Sequence, residues 1–142
     1  MSVAAILKEK GTDVATAPGK TTLAEIAVLL ERRRIGAVVI TGPRGAIEGI
    51  VSERDIVSAV ARSGTDVLNR PVSEVMTRAV RSCVPTDSIY ELMNVMTEHR
   101  VRHLPVVVDG KLQGIVSIGD VVKQRIAEIE FEASEMKRYI GG

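Results

Sequence analysis

Hydrophobic positions along the chain alternate between a helical and an extended spacing, which predicts short strands and amphipathic helices. Apolar residues between Thr22 and Leu30 recur three and four positions apart, and a capping-box pattern at Thr22 marks the start of this predicted helix. The β-branched runs 35–41 and 47–51, separated by a Gly-Pro-Arg-Gly turn, predict a hairpin. A second helix follows over residues 56–60 and ends near a glycine.

The same order of elements returns later in the chain. Ser88 opens a second capping box 66 positions after Thr22, and residues 101–108 and 111–116 predict a second hairpin with an Asp-Gly turn. The shorter turn reduces the offset to 65, and a long helix is predicted from about residue 120 to 139. Each half therefore reads strand, helix, strand, strand, helix, which is an internal repeat.

The repeat predicts the domain organisation. Residues 1–68 form the first repeat with an additional N-terminal helix over residues 2–10, which Ser2 would cap. Residues 69–78 form a linker, and residues 79–142 form the second repeat with its extended C-terminal helix. The predicted fold class is α/β (α+β), with two pseudo-symmetric β-α-β-β-α repeats packed through their sheets and with extra helices at both termini.

A signature of Gly-Ile-Val-Ser followed by Asp occurs in both repeats, as residues 49–55 and 114–120. It predicts the end of a strand and the N-terminus of a helix, where backbone N–H groups, a hydroxyl and a carboxylate come together. One interpretation is helix capping alone, which a single copy would favour. Two copies at one register favour a binding role in addition. The copies differ, since Arg54 stands where the second has Gly119.

Composition narrows the classes of function. Nineteen Lys and Arg against 18 Asp and Glu give no global attraction to nucleic acid or to an anionic membrane, and 2% aromatic residues leave little for base stacking. One cysteine and two histidines are too few for a closed zinc site. The sequence also shows no nucleophile with a base at a recognisable spacing, which argues against an enzyme. No apolar run is long enough to span a membrane, so the reducing cytoplasm is the expected compartment.

The doubled signature, together with Glu-Val-Met-Thr at 74–77 and Arg-His-Leu-Pro-Val-Val at 102–107, resembles a tandem pair of cystathionine-β-synthase-like (CBS) domains, a Bateman module. The resemblance covers nearly the whole chain. It implies a regulatory module without a catalytic domain, whose adenosine ligand, such as AMP, ADP, ATP or NAD(H), lies in clefts between the repeats. It also implies a homodimer, an unidentified protein target, no catalytic cofactor and no membrane or nucleic-acid partner.

The resemblance also implies roles for individual residues. Asp55 and Asp120 would accept hydrogen bonds from ribose hydroxyls, and Ser52 and Ser117 would donate to phosphate. Arg54 would be a phosphate cation unless it is simply a solvated helix residue. The remaining candidates would wall the adenine, approach it from the linker or reach the phosphate: Val14, Thr16, Ala17, Gly36, Ala37, Val38, Met76, Thr77, Val80, Ser82, Cys83, Arg102, His103, Leu104 and Pro105.

Two questions stay open at this level. The first half has small residues at 36–37 where the second has Arg102-His103, so we expect two clefts of unequal affinity. The first cleft, which also has Arg54, is the one expected to bind a phosphorylated adenosine. The apolar residues of the last helix follow a spacing of four, three, four, three, four from Val122 to Ile140. This stripe would pack on its own domain or on the N-terminal helix, or it would form a coiled-coil-like seam with a second subunit. A structural adaptor with degenerate clefts is the alternative function.

Overall fold

The structure, a computed structural model, describes residues 1–141. It is a mixed α+β fold in which short strands alternate with helices. The helices are α1 (Val3–Lys10), α2 (Leu23–Arg33), α3 (Glu53–Ser63), α4 (Ile89–His99) and α5 (Ile118–Gly141). The strands are β1 (Thr16–Ala17), β2 (Ala37–Thr41), β3 (Ile47–Ser52), β4 (His103–Val108) and β5 (Lys111–Ser117). Two short 3₁₀ turns follow α3: Thr65–Asn69 lies at the end of the first repeat, and Val72–Glu74 lies in the predicted linker.

The chain folds into two compact units. The first-repeat unit contains residues 13–81 with 109–112, and the second-repeat unit contains residues 1–12, 82–108 and the chain from Gln113 onward. The first repeat has the predicted order of elements, and the second has it with the opening strand reduced to a single bridge at Cys83. The predicted α+β class is therefore confirmed, and so are the extra helices at the termini.

The first-repeat unit is built on a three-stranded sheet in the order β1-β2-β3. β1 runs parallel to β2, and β2 pairs antiparallel with β3 in a register that places Val38 opposite Val51. Both of these valines are fully buried and share a core with Leu23 and Ile26 of α2. α2 begins where the capping box predicted, since Thr22 Oγ accepts from the N–H of Glu25 at 3.2 Å.

The second-repeat unit has a two-stranded sheet, β4-β5, to which Cys83 adds a parallel bridge with Val106. Cys83 and Val106 correspond by the offset of 66 to Ala17 and Ile40, which pair in the first sheet. The opening strands predicted at 14–16 and 80–82 thus lie one or two residues later. Their pairing with the hairpin, which local propensity does not encode, sets that position.

Helix α1 packs in the second-repeat unit, although its place in the chain had grouped it with the first repeat. Val3 and Ile6 are buried in the same core as Leu92 and Leu104. Its start is held by backbone hydrogen bonds, among them Val3 N–H to Asp87 O at 2.9 Å. The Ser2 side chain makes no capping bond. A short helix with one apolar face packs wherever apolar surface is open, whatever its order in sequence.

Helix α5 uses only its first part to pack on its own unit. Val121 and Gln124 are buried, whereas Val122 and Ile126 are about half exposed. From Ile129 to the last described residue, every side chain is exposed. No helix within residues 1–141 combines the length and the apolar character required to cross a membrane.

Candidate functional site

The first signature forms the junction between β3 and α3. The strand ends at Ser52, whose Oγ accepts from the N–H of Asp55 at 3.3 Å. In return Asp55 Oδ2 accepts from the N–H of Ser52 at 2.8 Å and from its hydroxyl at 3.1 Å. This reciprocal arrangement is a capping box, which satisfies donors that the helix itself leaves unpaired.

The second signature repeats that geometry at the junction between β5 and α5. Ser117 Oγ accepts from the N–H of Asp120 at 3.2 Å, and Asp120 Oδ2 accepts from the N–H and hydroxyl of Ser117 at 2.9 and 3.0 Å. The first helical N–H is bonded in both copies, Glu53 N–H to Gly36 O at 3.0 Å and Ile118 N–H to Arg102 O at 2.8 Å. The two junctions are thus equivalent in their backbone and in their capping.

This capping restricts what each junction can offer a ligand. A serine hydroxyl has one proton, and in both copies it is directed to the aspartate. Donation to a phosphate would therefore require that bond to break. Within residues 1–141, the hydrogen bonds that the structure shows to the two carboxylates end on Oδ2. Their Oδ1 atoms remain able to accept from a ligand hydroxyl.

The second junction has a cation that the signature alone did not reveal. Lys10, at the end of α1, donates to Asp120 Oδ2 at 2.6 Å and to the carbonyl of Ile115 at 3.0 Å. Burial by itself would raise the pKa of Asp120, but hydrogen bonds from Lys10 and Ser117 and the ammonium charge outweigh it. The pKa of Asp120 consequently lies below its ordinary value of 3.8, and the carboxylate is charged near neutral pH.

The sequence analysis did not identify Lys10 as a site residue, because Lys10 lies far from the second signature along the chain. The internal repeat could have indicated it. A shift of 66 places Lys10 at the position of Met76. In the first-repeat unit Thr77 pairs with Ile50, and Met76 lies against Gly49. α1 in the second-repeat unit and the 76–77 segment in the first therefore occupy the same side of the second hairpin strand.

The other candidate residues divide by burial. Ala17, Val38 and Met76 belong to the core of the first-repeat unit, and Cys83 and Leu104 belong to that of the second. Their side chains contribute to packing, and Ala37 and Pro105 are also buried. The candidates with solvent-accessible surface are Val14, Thr16, Gly36, Ser52, Arg54, Asp55, Thr77, Val80, Ser82, Arg102, His103, Ser117 and Asp120.

Cys83 is buried in the core of the second-repeat unit, and its role beside a ligand stays a prediction. Its side chain is 5% exposed, and its N–H donates to Pro105 O at 2.9 Å. Burial, with a smaller contribution from the negative charge of Asp87, raises the pKa of the thiol to about 12. A thiol with so little thiolate near neutral pH is a poor nucleophile and a poor redox sensor.

Asp55 lies at the edge of a cavity of about 510 Å³ in the first-repeat unit. Arg62 and Arg70 also line it, together with the acidic Asp66 and Glu74. Arg70 pairs with Glu74 at 3.6 Å, so part of this charge is compensated within the wall. The volume is in the range of small-molecule pockets, and neither arginine had been a sequence candidate.

A second cavity of about 610 Å³ in the same unit involves two of the predicted positions, Thr16 and Ala17. Its wall also includes Lys20, Glu48 and Ser73.

No cluster of three or more metal-ligating side chains occurs among the residues that the structure describes.

Comparison with known proteins assigns the family. The model of the CBS domain matches residues 6–62 and again residues 72–126. The chain belongs to the CBS domain family. Its two repeats are two CBS domains in tandem, as the doubled signature indicated.

Relatives of this CBS-domain chain agree with its fold. A CBS domain-containing protein from Bacillus subtilis is 33% identical over 82% of this chain and 81% of its own length. A CBS-domain containing protein from Agrobacterium tumefaciens has a solved structure with a TM-score of 0.86 and 44% identity, covering 88% of this chain and 99% of that one. The chain spans 33% and 57% of the length of two further curated relatives.

The solved relatives include complexes with ligands. A CBS domain protein from Pyrobaculum aerophilum, in complex with AMP, has a TM-score of 0.79 and 27% identity to this chain. The match covers 94% of this chain and 99% of that protein.

Proposed function

We propose that this CBS pair is a regulatory module that binds an adenosine ligand, of the AMP, ATP or NAD(H) type, at its two strand-to-helix junctions. It acts without catalysis, assembles as a homodimer in the cytoplasm and signals nucleotide state to a partner protein. The AMP complex of the Pyrobaculum relative supports the class of ligand. Two matched Ser-x-x-Asp junctions support the place on this chain.

The observation that best supports this proposal is the hydrogen bonding of Asp55 and Asp120. Each is fixed by its serine through Oδ2, which leaves Oδ1 directed by the same rigid capping box. A carboxylate oxygen accepts from hydroxyl groups, and a vicinal diol such as that of ribose offers two donors at once. An oriented, partly buried acceptor loses little freedom on binding, which favours affinity.

The two junctions should differ in the charge of the ligand they prefer. Asp55 has Arg54 beside it on the exposed first turn of α3, whereas Asp120 has Lys10 bonded to its carboxylate. A ligand phosphate can attract the Lys10 ammonium away from Asp120 and free Oδ2, whereas a neutral nucleoside cannot. We infer that the Asp120 junction favours phosphorylated ligands more strongly than the Asp55 junction does, which is the reverse of the preference that Arg54 predicted from the sequence.

Regulation requires more than binding. A ligand shifts a conformational equilibrium only by the difference between its affinities for the two states. The proposal therefore includes two arrangements of the module with unequal affinity for the nucleotide.

Isothermal titration calorimetry with AMP, ATP and NADH tests the binding site. Removal of one carboxylate, in Asp55→Ala or Asp120→Ala, should remove hydrogen bonds to a charged group worth about 1.5–3 kcal/mol, or roughly 10- to 150-fold in Kd. Ser88→Ala is a matched control, because Ser88 caps α4 through Glu91 N–H at 3.1 Å without belonging to a junction. It should lower stability and leave affinity unchanged. Equal affinity in both aspartate variants and the parent would refute the site.

The exposed apolar stripe of α5 favours a second candidate, an adaptor whose clefts bind no nucleotide. A thermal-shift panel of AMP, ADP, ATP, NAD, NADH and S-adenosylmethionine separates the two functions. Ligand that binds the native state raises Tm by mass action. A Tm that no member of the panel moves, at concentrations far above any plausible Kd, supports the adaptor.

A further inference from the structure

The C-terminal helix presents a continuous apolar stripe to solvent. Its bulky members are between 48% and 77% exposed. A soluble helix gains most of its stability by packing an apolar face, so a stripe of this length indicates a missing contact. We call these residues the α5 stripe: Val122, Ile126, Ile129, Ala133, Met136 and Ile140.

The α5 stripe is distinct from the face that α5 packs on its own unit. That face is formed by Val121 and Gln124, with Glu128 half-buried beside them. Glu128 Oε1 lies 3.4 Å from the N-terminal amine of Met1, which secures the same face. The packing of the unit therefore leaves the stripe available.

The spacing of the α5 stripe indicates which partner packs on it. Steps of four, three, four, three and four residues are the a and d positions of a heptad, the repeat with which one helix packs against a copy of itself. We propose that the α5 helices of two chains form a parallel, in-register, two-stranded coiled coil along the α5 stripe. The partner is thus a second copy of this chain.

The charges beside the stripe fit this orientation. In a parallel pair, a g residue lies near the e residue five positions later in the other helix. Arg125 of one chain then meets Glu130 of the second copy, and Glu132 meets Lys137. Arg125 already pairs with Glu128 of its own helix at 3.1 Å. Its guanidinium has five N–H donors and can hold both carboxylates.

The antiparallel alternative fits less well. Full overlap of the six stripe residues would place Glu130 against Glu130 and Glu132 against Glu132 of the second copy, and Lys123 against Lys137. Like charges in such positions are destabilising. A shift of one heptad gives opposite charges, but it leaves two of the six apolar positions uncovered. The parallel pair alone buries the whole stripe with favourable charges.

Disulfide crosslinking of the full chain tests the orientation. Ile126→Cys and Met136→Cys should each form a covalent dimer under mild oxidation, because identical a or d positions lie side by side in a parallel coil. No single antiparallel register brings both positions near their own copies: full overlap separates each pair by about 15 Å at 1.5 Å per residue. Phe131→Cys is the matched control, since Phe131 is 67% exposed on the opposite side of α5 and should not crosslink. Crosslinking in only one of the two variants, or in neither, overturns the parallel coil.

Light scattering tests the seam itself. The parent should have twice the mass of the 15.3 kDa chain. Ile129→Glu places a charge in the stripe and should raise the dimer dissociation constant more than tenfold, whereas Phe131→Glu, the same change on the opposite face, should leave it unaltered. Circular dichroism checks that both variants retain their helix content. A monomeric parent, or an Ile129→Glu variant that dissociates no more than Phe131→Glu, overturns the proposal.

Discussion

Replacement of the signature glycines by alanine should affect the two repeats unequally, although both occur in an identical Gly-Ile-Val-Ser run. A Cβ at Gly49 would lie 2.5 Å from Met76 Sδ and 2.9 Å from the carbonyl oxygen of Thr77. That carbonyl accepts from Ile50 N–H at 3.0 Å, so it cannot move away without loss of the bridge to β3. A Cβ at Gly114 would meet chiefly Leu7 Cδ2, at 2.8 Å, which is the end of a side chain that can rotate.

The magnitudes follow from these contacts. Overpacking against immobile neighbours costs about 1–3 kcal/mol, and loss of glycine freedom in the unfolded chain returns about 0.4–1 kcal/mol. Gly49→Ala should therefore destabilise by about 1–2 kcal/mol and lower Tm by about 2–8 °C, at roughly 2–4 °C per kcal/mol for a chain of this size. Gly114→Ala should remain within about 0.5 kcal/mol of the parent, because rotation of Leu7 relieves most of the overlap.

Urea denaturation and thermal unfolding, monitored by circular dichroism, measure the free energies of unfolding of the parent, Gly49→Ala and Gly114→Ala. Gly119→Ala is the control, since its Cβ would meet only Ser117 Oγ at an ordinary 3.6 Å. Alanine favours the helix there, so this variant should match the parent or gain up to about 1 kcal/mol. A loss in Gly114→Ala as large as that in Gly49→Ala would refute the argument.

Three further predictions concern charge and reactivity. Cys83, with its pKa raised to about 12, should react with a thiol reagent only when the protein unfolds, and labelling of the native chain at the rate of a free thiol would contradict its burial. Asp120, with a pKa below 3.8, stabilises the fold above that pH and loses its contribution as pH falls through the lowered pKa, so the destabilisation caused by Asp120→Asn should shrink below pH 3.8. A destabilisation by Asp120→Asn that increases at acid pH would contradict the lowered pKa of Asp120. Lys10→Met removes the ammonium at the second junction, so calorimetry should find affinity for AMP lowered more than affinity for adenosine, and an equal change for both would exclude a phosphate role.

Much of the fold was predictable because its signals are local. Capping residues at Thr22 and Ser88 fixed the starts of α2 and α4, and the turns between the hairpin strands fixed both hairpins. Internal repetition then confirmed each assignment with an independent copy. The strands that open the repeats were less certain, because one or two paired residues carry no periodicity and are defined only by the neighbouring strand.

The candidate site was predictable only in part. Ser-x-x-Asp indicated both junctions and their capping. It did not indicate that the serine protons are directed to the aspartates, or that Lys10 bonds one aspartate across more than a hundred residues. Nor could spacing distinguish candidate wall residues whose side chains lie in a core, such as Val38 and Leu104, from those at the surface.

By itself the sequence determined the tandem CBS architecture. The hydrophobic spacing, the helix caps and the turns depend on residues close together along the chain, and each of these signals occurs in both repeats. Tertiary structure alone decided where α1 packs, which cation meets Asp120 and which face of α5 stays open. Each of these depends on contacts between distant segments, where the free energy of burial is shared among partners that no local pattern identifies. The doubled signature therefore defines two equal junctions, and the packing around them makes them different.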